Sequence, residues 1–256
     1  MSHAEQGPGP SRSSLFPRGG LFRRGVQVAG ELLMSVGVIL LLFVAWQLWW
    51  TNVDADARQR DVVEDFARGI AVTVTPGQAA VAPKPAVATE PAEGATIGIL
   101  YVPRFGAGYT RPIVQGTTPA VLDTLGIGHY QGTAMPGAAG NFAVAGHRQT
   151  HGAVLDNIDA LVPGDRIYVQ TREGYYVYVF RNSQIVLPSR TDVLLPVPTR
   201  PGAAPTESYL TMTSCNPRFG SQERFVAYAL LERWQSSSAG PPAEIASQVA
   251  RAGGDG

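Results

Sequence analysis

The chain has 256 residues, which is long enough for one ordinary domain with appendages. Hydrophobic residues make up 45% of it and charged residues 16%, so it can form a packed core, and disorder throughout the chain is excluded. Its 20 basic and 20 acidic side chains give a formal net charge of zero. We therefore expect no nucleic-acid partner, because phosphate binding needs an excess of clustered Lys and Arg.

An apolar segment near the N-terminus predicts one transmembrane helix over residues 29–50. The run from Leu32 to Trp46 is apolar except for Ser35, and with its flanks it reaches the roughly 20 residues that cross a bilayer core. Arginines precede the segment and aspartates follow it, at Arg12, Arg18, Arg23, Arg24, Asp54 and Asp56. This asymmetry predicts a single-pass protein of the cell membrane with a cytoplasmic N-terminus and an extracellular body. A cleaved signal peptide is the alternative, and it also exports the body.

The remaining chain divides by composition into a tail, a linker and one domain. Residues 1–28 are rich in Gly, Pro and Ser at their start and predict a disordered cytoplasmic tail. Residues 51–95 predict a short stalk helix followed by an extended Ala- and Pro-rich linker. Residues 96–235 predict an extracellular catalytic domain, and residues 236–256 a flexible tail.

The domain is predicted to be mostly β. Short runs of β-branched and aromatic residues alternate with turns, and we expect strands at 97–102, 141–147, 166–171, 175–181, 184–187, 208–215 and 224–231. Short helices are expected at 119–125 and 153–161. These elements predict a single, mostly antiparallel barrel or sandwich of about 140 residues.

Cys215 is the only cysteine, so it has no partner for an intramolecular disulfide. It is therefore a buried inert thiol, an intermolecular bridge or a nucleophile. His147 and Cys215 both end predicted strands, and Arg224 begins the strand that follows Cys215 after an eight-residue loop. A working thiolate needs a base or cation nearby, and an arginine can stabilise negative charge on a tetrahedral intermediate. The three residues at strand ends favour the nucleophile.

No cofactor or metal site is predicted. The sequence contains no H-E-x-x-H, C-x-x-C or phosphate-binding glycine motif. His147 and His151 are four residues apart, but His147 ends a predicted strand rather than lying on a helix.

The segment TMTSCNPRFGSQER, from Thr211 to Arg224, resembles the signature of sortases, the membrane-anchored cysteine transpeptidases of Gram-positive bacteria. The arginine lies nine positions after the cysteine, as in that family, and NFAVAGHR resembles the segment that carries the family's histidine. GHYQGTAMPG, at 128–137, resembles the corresponding stretch of class E enzymes of high-GC actinobacteria. The resemblance implies a closed sortase-type barrel of about eight strands.

The resemblance also implies a mechanism and partners. Cys215 attacks the Thr–Gly carbonyl of a C-terminal sorting signal on an exported protein, Arg224 stabilises the oxyanion, and His147 transfers protons. The thioester then passes to an amine of a cell-wall precursor similar to lipid II. Class E similarity implies an L-A-x-T-G-like signal rather than L-P-x-T-G. Substrate contacts are expected from Tyr130, Thr213 and Ser214.

Several alternatives stay open. Met212, Ser214 and Asn216 depart from the usual family pattern and could tune the pocket. His129 and His151 compete with His147 for the proton-transfer role. Residues 187–205 are expected to form the family's specificity loop. An exported Cys/His peptidase that only hydrolyses and a non-catalytic cell-wall-binding β-domain are the rival functions.

Overall fold

The structure, a computed structural model, describes residues 19–71 and 84–254. The first 18 residues of the predicted N-terminal tail and residues 72–83 of the predicted linker lie outside the described residues. The described chain contains the helices α1 (Gly19–Ala71), α2 (Pro119–Leu122) and α3 (Ala246–Ala252), with several short 3-10 turns. Its strands are β1 (Thr96–Tyr101), β2 (Thr110–Gln115), β3 (Ile127–His129), β4 (Gly140–Ala145), β5 (Arg166–Gln170), β6 (Gly174–Val186), β7 (Ser208–Asn216) and β8 (Glu223–Ser236).

The eight strands form a closed barrel in the order β1-β2-β3-β4-β7-β8-β6-β5, with β5 paired back to β1. Six of the pairings are antiparallel, whereas β2 pairs with β3 and β4 pairs with β7 in parallel. Closure leaves no free sheet edge. The prediction of a mostly β, closed eight-stranded barrel with short helices is confirmed.

Buried apolar side chains form one cluster inside the barrel and a second on part of its outer wall. Inward side chains such as Leu100, Val169 and Tyr178 fill the barrel interior. Outward side chains such as Tyr101 and Val177 form a second apolar cluster with residues of α1 and α3. From α1 this cluster takes Val63, Phe66, Ala67 and Ile70, and from the C-terminal segment it takes Ile245 and Ala252. A helix stripe at 3.6-residue spacing therefore covers one outer wall of the barrel.

Three parts of the domain differ from the expectation drawn from sequence. Strand β2 contains Pro112 and Arg111, and β3 is only three residues long, so neither has the apolar alternation that identifies a strand. The two predicted strands at 175–181 and 184–187 form one long strand, β6, which ends at Val186. The C-terminal segment expected to be flexible contains α3, and Ile245 is fully buried.

The chain forms two compact units, residues 1–47 and 48–256. In the first, the described part is helical, and the large apolar side chains from Phe22 to Trp46 are exposed. Helix α1 contains an 18-residue window with a mean hydropathy of 2.4, so it is long and apolar enough to cross a membrane by length and composition. The barrel belongs to the second unit.

Candidate active site

Strand register brings Cys215 and Arg224 together at one rim of the barrel. β7 and β8 are antiparallel neighbours, and Cys215 lies directly opposite Arg224. Side chains directly opposite each other in such a pair lie on the same face. The loop from 217 to 222 joins the two strands just beyond this pair. The thiol and the guanidinium therefore extend from adjacent strands on the outer face of the sheet.

His147 reaches the same rim from the other side of β7. β4 runs parallel to β7, with Ala145 paired to Thr213. The Gly146 N–H donates to the Thr213 carbonyl at 3.1 Å, so the pairing continues past the end of β4. Two residues further in the same register, His147 is level with Cys215. The structure thus brings the three predicted catalytic residues to one end of three neighbouring strands.

The turn that carries His147 is tightly held. A Cβ on Gly146 would lie 2.7 Å from Val154 Cγ2, so a larger residue has no room there. The Leu155 N–H donates to the His147 carbonyl at 2.9 Å. The Ser214 hydroxyl, which is buried, donates to the Gly146 carbonyl at 2.8 Å. These contacts fix the backbone on both sides of the imidazole.

The imidazole of His147 is hydrogen-bonded to a carboxylate that the sequence did not reveal. Its Nε2 lies 2.6 Å from Asp123 Oδ1. Asp123 is the C-terminal capping residue of α2. A carboxylate in this position orients the ring. Because Nε2 is engaged by Asp123, Nδ1 is the nitrogen left for proton exchange with a substrate.

His151 joins the same cluster. Its ring centroid lies 5.0 Å from that of His147, and its Nδ1 lies 3.8 Å from Asp123 Oδ1. The backbone of His151 has φ of 54°, in the left-handed region that non-glycine residues seldom adopt. Of the competing histidines, His151 is thus next to the site.

His129 is a structural residue of the barrel wall. Its side chain is fully buried, Nδ1 lies 2.7 Å from Gln115 Oε1, and Nε2 lies 2.9 Å from Thr133 Oγ1. Burial lowers the pKa of His129, so the neutral ring is favoured. Both ring nitrogens are committed to neighbours, and the ring has no exposed surface from which to meet a substrate.

Arg224 is free to receive negative charge. Its Nη1 donates to the carbonyls of Ser221 and Glu223 at 2.9 and 2.8 Å. Within the part of the chain that the structure describes, Arg224 makes no ion pair. Two backbone contacts therefore orient the guanidinium without neutralising its charge, as an oxyanion-stabilising group requires.

A groove of about 240 Å³ extends from Arg224 along the outer face of β7 and β8. Tyr130 and Thr213 line it, and the Tyr130 hydroxyl lies 2.9 Å from Thr213 Oγ1. Its opposite wall comes from the predicted specificity loop, through Leu187, Pro188, Arg190, Thr191, Val193 and Leu194. An extended peptide in the groove would approach Cys215, which follows Thr213 on the same face of β7.

Of the predicted substrate-binding residues, Ser214 is placed differently from Tyr130 and Thr213. Successive residues of a strand point to opposite faces, so Ser214 faces away from the groove and bonds to Gly146. Met212 is buried in the barrel interior. Asn216 accepts a bond from Arg148 at 2.8 Å and donates to Glu223 at 2.7 Å. The three departures from the family pattern thus contact the scaffold of the site, not the groove lining.

Arg148 is a second residue that sequence reasoning missed. Its side chain is 3% exposed, and its guanidinium lies over the ring of Phe225, 5.7 Å from the centroid. It contacts the Cys215 carbonyl at 3.4 Å and forms an ion pair with Asp159 at 2.6 Å. Arg148 thus links the histidine turn to the end of the cysteine strand. Its position directly after His147 was the only available signal.

The site combines a thiol, a guanidinium without an ion-pair partner among the described residues, and an imidazole bonded to a carboxylate. These are the groups that acyl transfer through a thioester requires.

Comparisons with known proteins agree with this chemistry. Residues 100–232 match the sortase domain family. The sortase SrtE1 of Streptomyces coelicolor is 36% identical over 229 residues, which is 85% of this chain and 60% of SrtE1. SrtE2 of the same organism is 32% identical over 259 residues, covering 95% of this chain and 96% of SrtE2.

Solved sortase structures also resemble this chain in fold and sequence. The SrtA sortase from Actinomyces oris has a TM-score of 0.60 and 37% identity, covering 64% of this chain and 94% of that chain. Sortase E1 from S. coelicolor, solved with a tripeptide in the active site, has a TM-score of 0.53 and 33% identity, covering 60% of this chain and 99% of that chain. The chain belongs to the sortase family. Its relatives place it with the class E sortases, so the predicted resemblance is confirmed.

Proposed function

We propose that this protein is a membrane-anchored cysteine transpeptidase that cleaves a C-terminal sorting signal between Thr and Gly and joins the protein to a cell-wall amine. The observation that carries the proposal is the strand register that sets Cys215 opposite Arg224 and level with His147. Sortase family membership supports the transpeptidase chemistry in general. The tripeptide in the active site of the S. coelicolor enzyme supports a peptide substrate.

The first half-reaction forms a thioester. The Cys215 thiolate attacks the threonine carbonyl, and the resulting oxyanion is stabilised by Arg224, whose charge has no carboxylate partner among the described residues. The C–N bond to glycine breaks as protonated His147 gives its proton to the leaving amine. Asp123, 2.6 Å from His147 Nε2, holds the ring in position for this step.

The second half-reaction transfers the acyl group. Neutral His147 takes a proton from the incoming amine, the amine nitrogen attacks the thioester carbonyl, and the Cys215 thiolate leaves. The thiolate and protonated histidine are thereby restored. The acceptor we propose is an amine of a peptidoglycan precursor similar to lipid II.

The groove accounts for the choice of signal in this proposal. A small residue at the second position of an L-A-x-T-G-like signal fits beside the Tyr130 ring, which is held by its hydrogen bond to Thr213. An apolar floor of Val186, Val193 and Val226 suits the leucine that begins the signal. Ser214 acts on the reaction through the Gly146 carbonyl and the His147 turn rather than through the peptide.

The membrane anchor is proposed on the basis of α1. Its apolar window and the arginines before it favour one span with the N-terminus in the cytoplasm and the barrel outside the cell. In this arrangement the enzyme meets exported proteins while they are still close to the membrane.

The proposal is tested by incubating the full chain with L-A-x-T-G and L-P-x-T-G peptides and an excess amine, followed by mass analysis of the products. We expect amine-ligated peptide from wild type, with the L-A-x-T-G peptide favoured, and none from Cys215→Ala. Cys215-dependent cleavage that gives only hydrolysed peptide at saturating amine would favour the hydrolase. No reaction with either peptide, together with an unreactive Cys215 thiol in the folded protein, would favour the non-catalytic domain.

A further inference from the structure

Three side chains around His147 offer the donor set of a metal site. Asp123, His147 and His151 each present one ligand atom, and these atoms all lie within 4.8 Å of one another. The sequence predicts no metal here, because His147 ends a predicted strand although His151 lies only four residues later. Two imidazoles and one carboxylate match the ligands that zinc takes in sites with an open fourth position.

The distances suit a cation at the centre of the cluster. With bonds of 2.0 to 2.2 Å, two ligand atoms on a tetrahedral zinc are separated by about 3.3 to 3.6 Å. Asp123 Oδ1 lies 2.6 Å from His147 Nε2 and 3.8 Å from His151 Nδ1. Shifts below about 1 Å would bring both separations into the zinc range. All three side chains are between 26% and 38% exposed, so they have space to move and the ion has access.

An unsatisfied nitrogen points to a ligand at this position. His151 Nδ1 is buried and has no hydrogen-bond partner in the part of the chain that the structure describes, and 3.8 Å from Asp123 is too long for such a bond. A buried polar atom without a partner is energetically unfavourable. Coordination to a cation shared with Asp123 would remove that cost.

Contacts from α1 hold the loop that carries His151. The left-handed backbone of His151 is stabilised from α1, where Gln59 Nε2 donates to the His151 carbonyl at 3.1 Å. Asn52 Oδ1 accepts from the Gly152 N–H at 2.9 Å. Strained backbone that is held by its surroundings is typical of functional positions.

We infer that Asp123, His147 and His151 bind one zinc ion, with solvent as the fourth ligand, and that the ion switches the enzyme off reversibly. The inhibitory consequence rests on the proposed function, whereas the binding site does not. Zinc on His147 Nε2 displaces the hydrogen bond to Asp123. With the metal on one nitrogen, the ring cannot form the imidazolium that protonates the leaving amine. Calcium and magnesium, which prefer oxygen ligands, do not replace zinc at a site with two imidazoles.

Binding is tested by zinc titration calorimetry on the full chain in detergent micelles. Wild type is expected to bind one zinc ion, and His151→Asn, which tolerates the left-handed backbone, is expected to bind at least about tenfold more weakly. Cys215→Ala is expected to bind zinc as wild type does, and His3→Gln serves as the control for loss of another histidine. Equal affinity in wild type and His151→Asn, or loss of binding in Cys215→Ala, overturns the site.

The catalytic consequence is tested by the ratio of ligation rates with and without saturating zinc, measured within each variant. We expect a fall of at least about tenfold in wild type, reversal by a chelator, and a ratio near one in His151→Asn. Wild type that binds zinc in the calorimeter and ligates peptide at an unchanged rate contradicts the inhibition. Because binding is also measured in inactive Cys215→Ala, failure of the proposed function leaves the metal site separately testable.

Discussion

Ser214 faces away from the groove, although it directly precedes Cys215. Its buried hydroxyl donates to the carbonyl of Gly146, the residue before His147. The geometry favours a role in positioning the histidine turn. Kinetics can distinguish this positioning role from the predicted direct contact of Ser214 with the substrate.

We predict that Ser214→Ala lowers the free energy of unfolding by about 1 kcal/mol, because one buried hydrogen bond is lost. The lost bond also lets the His147 imidazole shift. If this raises the activation free energy by the same amount, kcat falls about fivefold while KM stays unchanged. Steady-state kinetics and denaturant titration provide both numbers.

Ser183→Ala is the matched control, since Ser183 is an exposed residue of β6. A raised KM with unchanged kcat in Ser214→Ala would instead support direct contact with the substrate.

At the residue scale, local motifs and spacing predicted Cys215, Arg224 and His147, but not Asp123, the hydrogen-bond partner of His147. Cys215 and Arg224 lie on successive strands joined by one short loop, so a hairpin alone brings them together. Asp123 lies 24 residues before His147, and nothing in its own segment marks it. Its role depends on how the barrel places α2 beside the histidine turn, which no local pattern encodes.

At the scale of elements, the stalk part of α1 supports the loop that follows His147. Asn52 donates to the Gln149 carbonyl at 3.3 Å and accepts from the Gly152 N–H at 2.9 Å. Further along the helix, Asp56 forms an ion pair with Arg111 at 3.1 Å. The segment predicted as a simple stalk is therefore part of the site's scaffold.

We predict that Asn52→Ala speeds amide hydrogen exchange over residues 149–152 by about fivefold, because the loop loses about 1 kcal/mol of hydrogen bonding. Hydrogen-exchange mass spectrometry of the full chain measures this directly. Arg58→Ala, which removes a partly exposed ion pair with Asp54 on the same helix, is the control. Unchanged exchange in Asn52→Ala would show that the loop is held without the stalk.

Elements with strong patterns were predictable and those without were not. The runs of β-branched and aromatic residues in β6, β7 and β8 predict strands, and the series of short strands predicts a barrel or sandwich. β2 and β3 carry Pro112 and few apolar residues, so tertiary pairing rather than propensity makes them strands. The C-terminal segment forms α3 because Ile245 and Ala252 find an apolar site on the outer barrel wall.

At the scale of the whole molecule, the barrel, the groove and α1 are each consistent with a membrane-anchored transpeptidase. The barrel has no open sheet edge, a groove along its outer face includes Arg224, which is paired with Cys215, and the apolar part of α1 suits a membrane. The domain boundaries drawn from composition stay predictions. A single cysteine also makes the chain simple to probe, because any thiol-dependent product must come from Cys215.

The central claim is that Cys215 carries the substrate as a thioester. Intact-mass analysis of the full chain mixed with an L-A-x-T-G peptide, without amine, tests it directly. We predict a mass increase equal to the peptide fragment ending in threonine, located on the Cys215 segment, removed when amine is added and missing from Cys215→Ala. Ligated product formed without this adduct, or formed by Cys215→Ala, would contradict the claim.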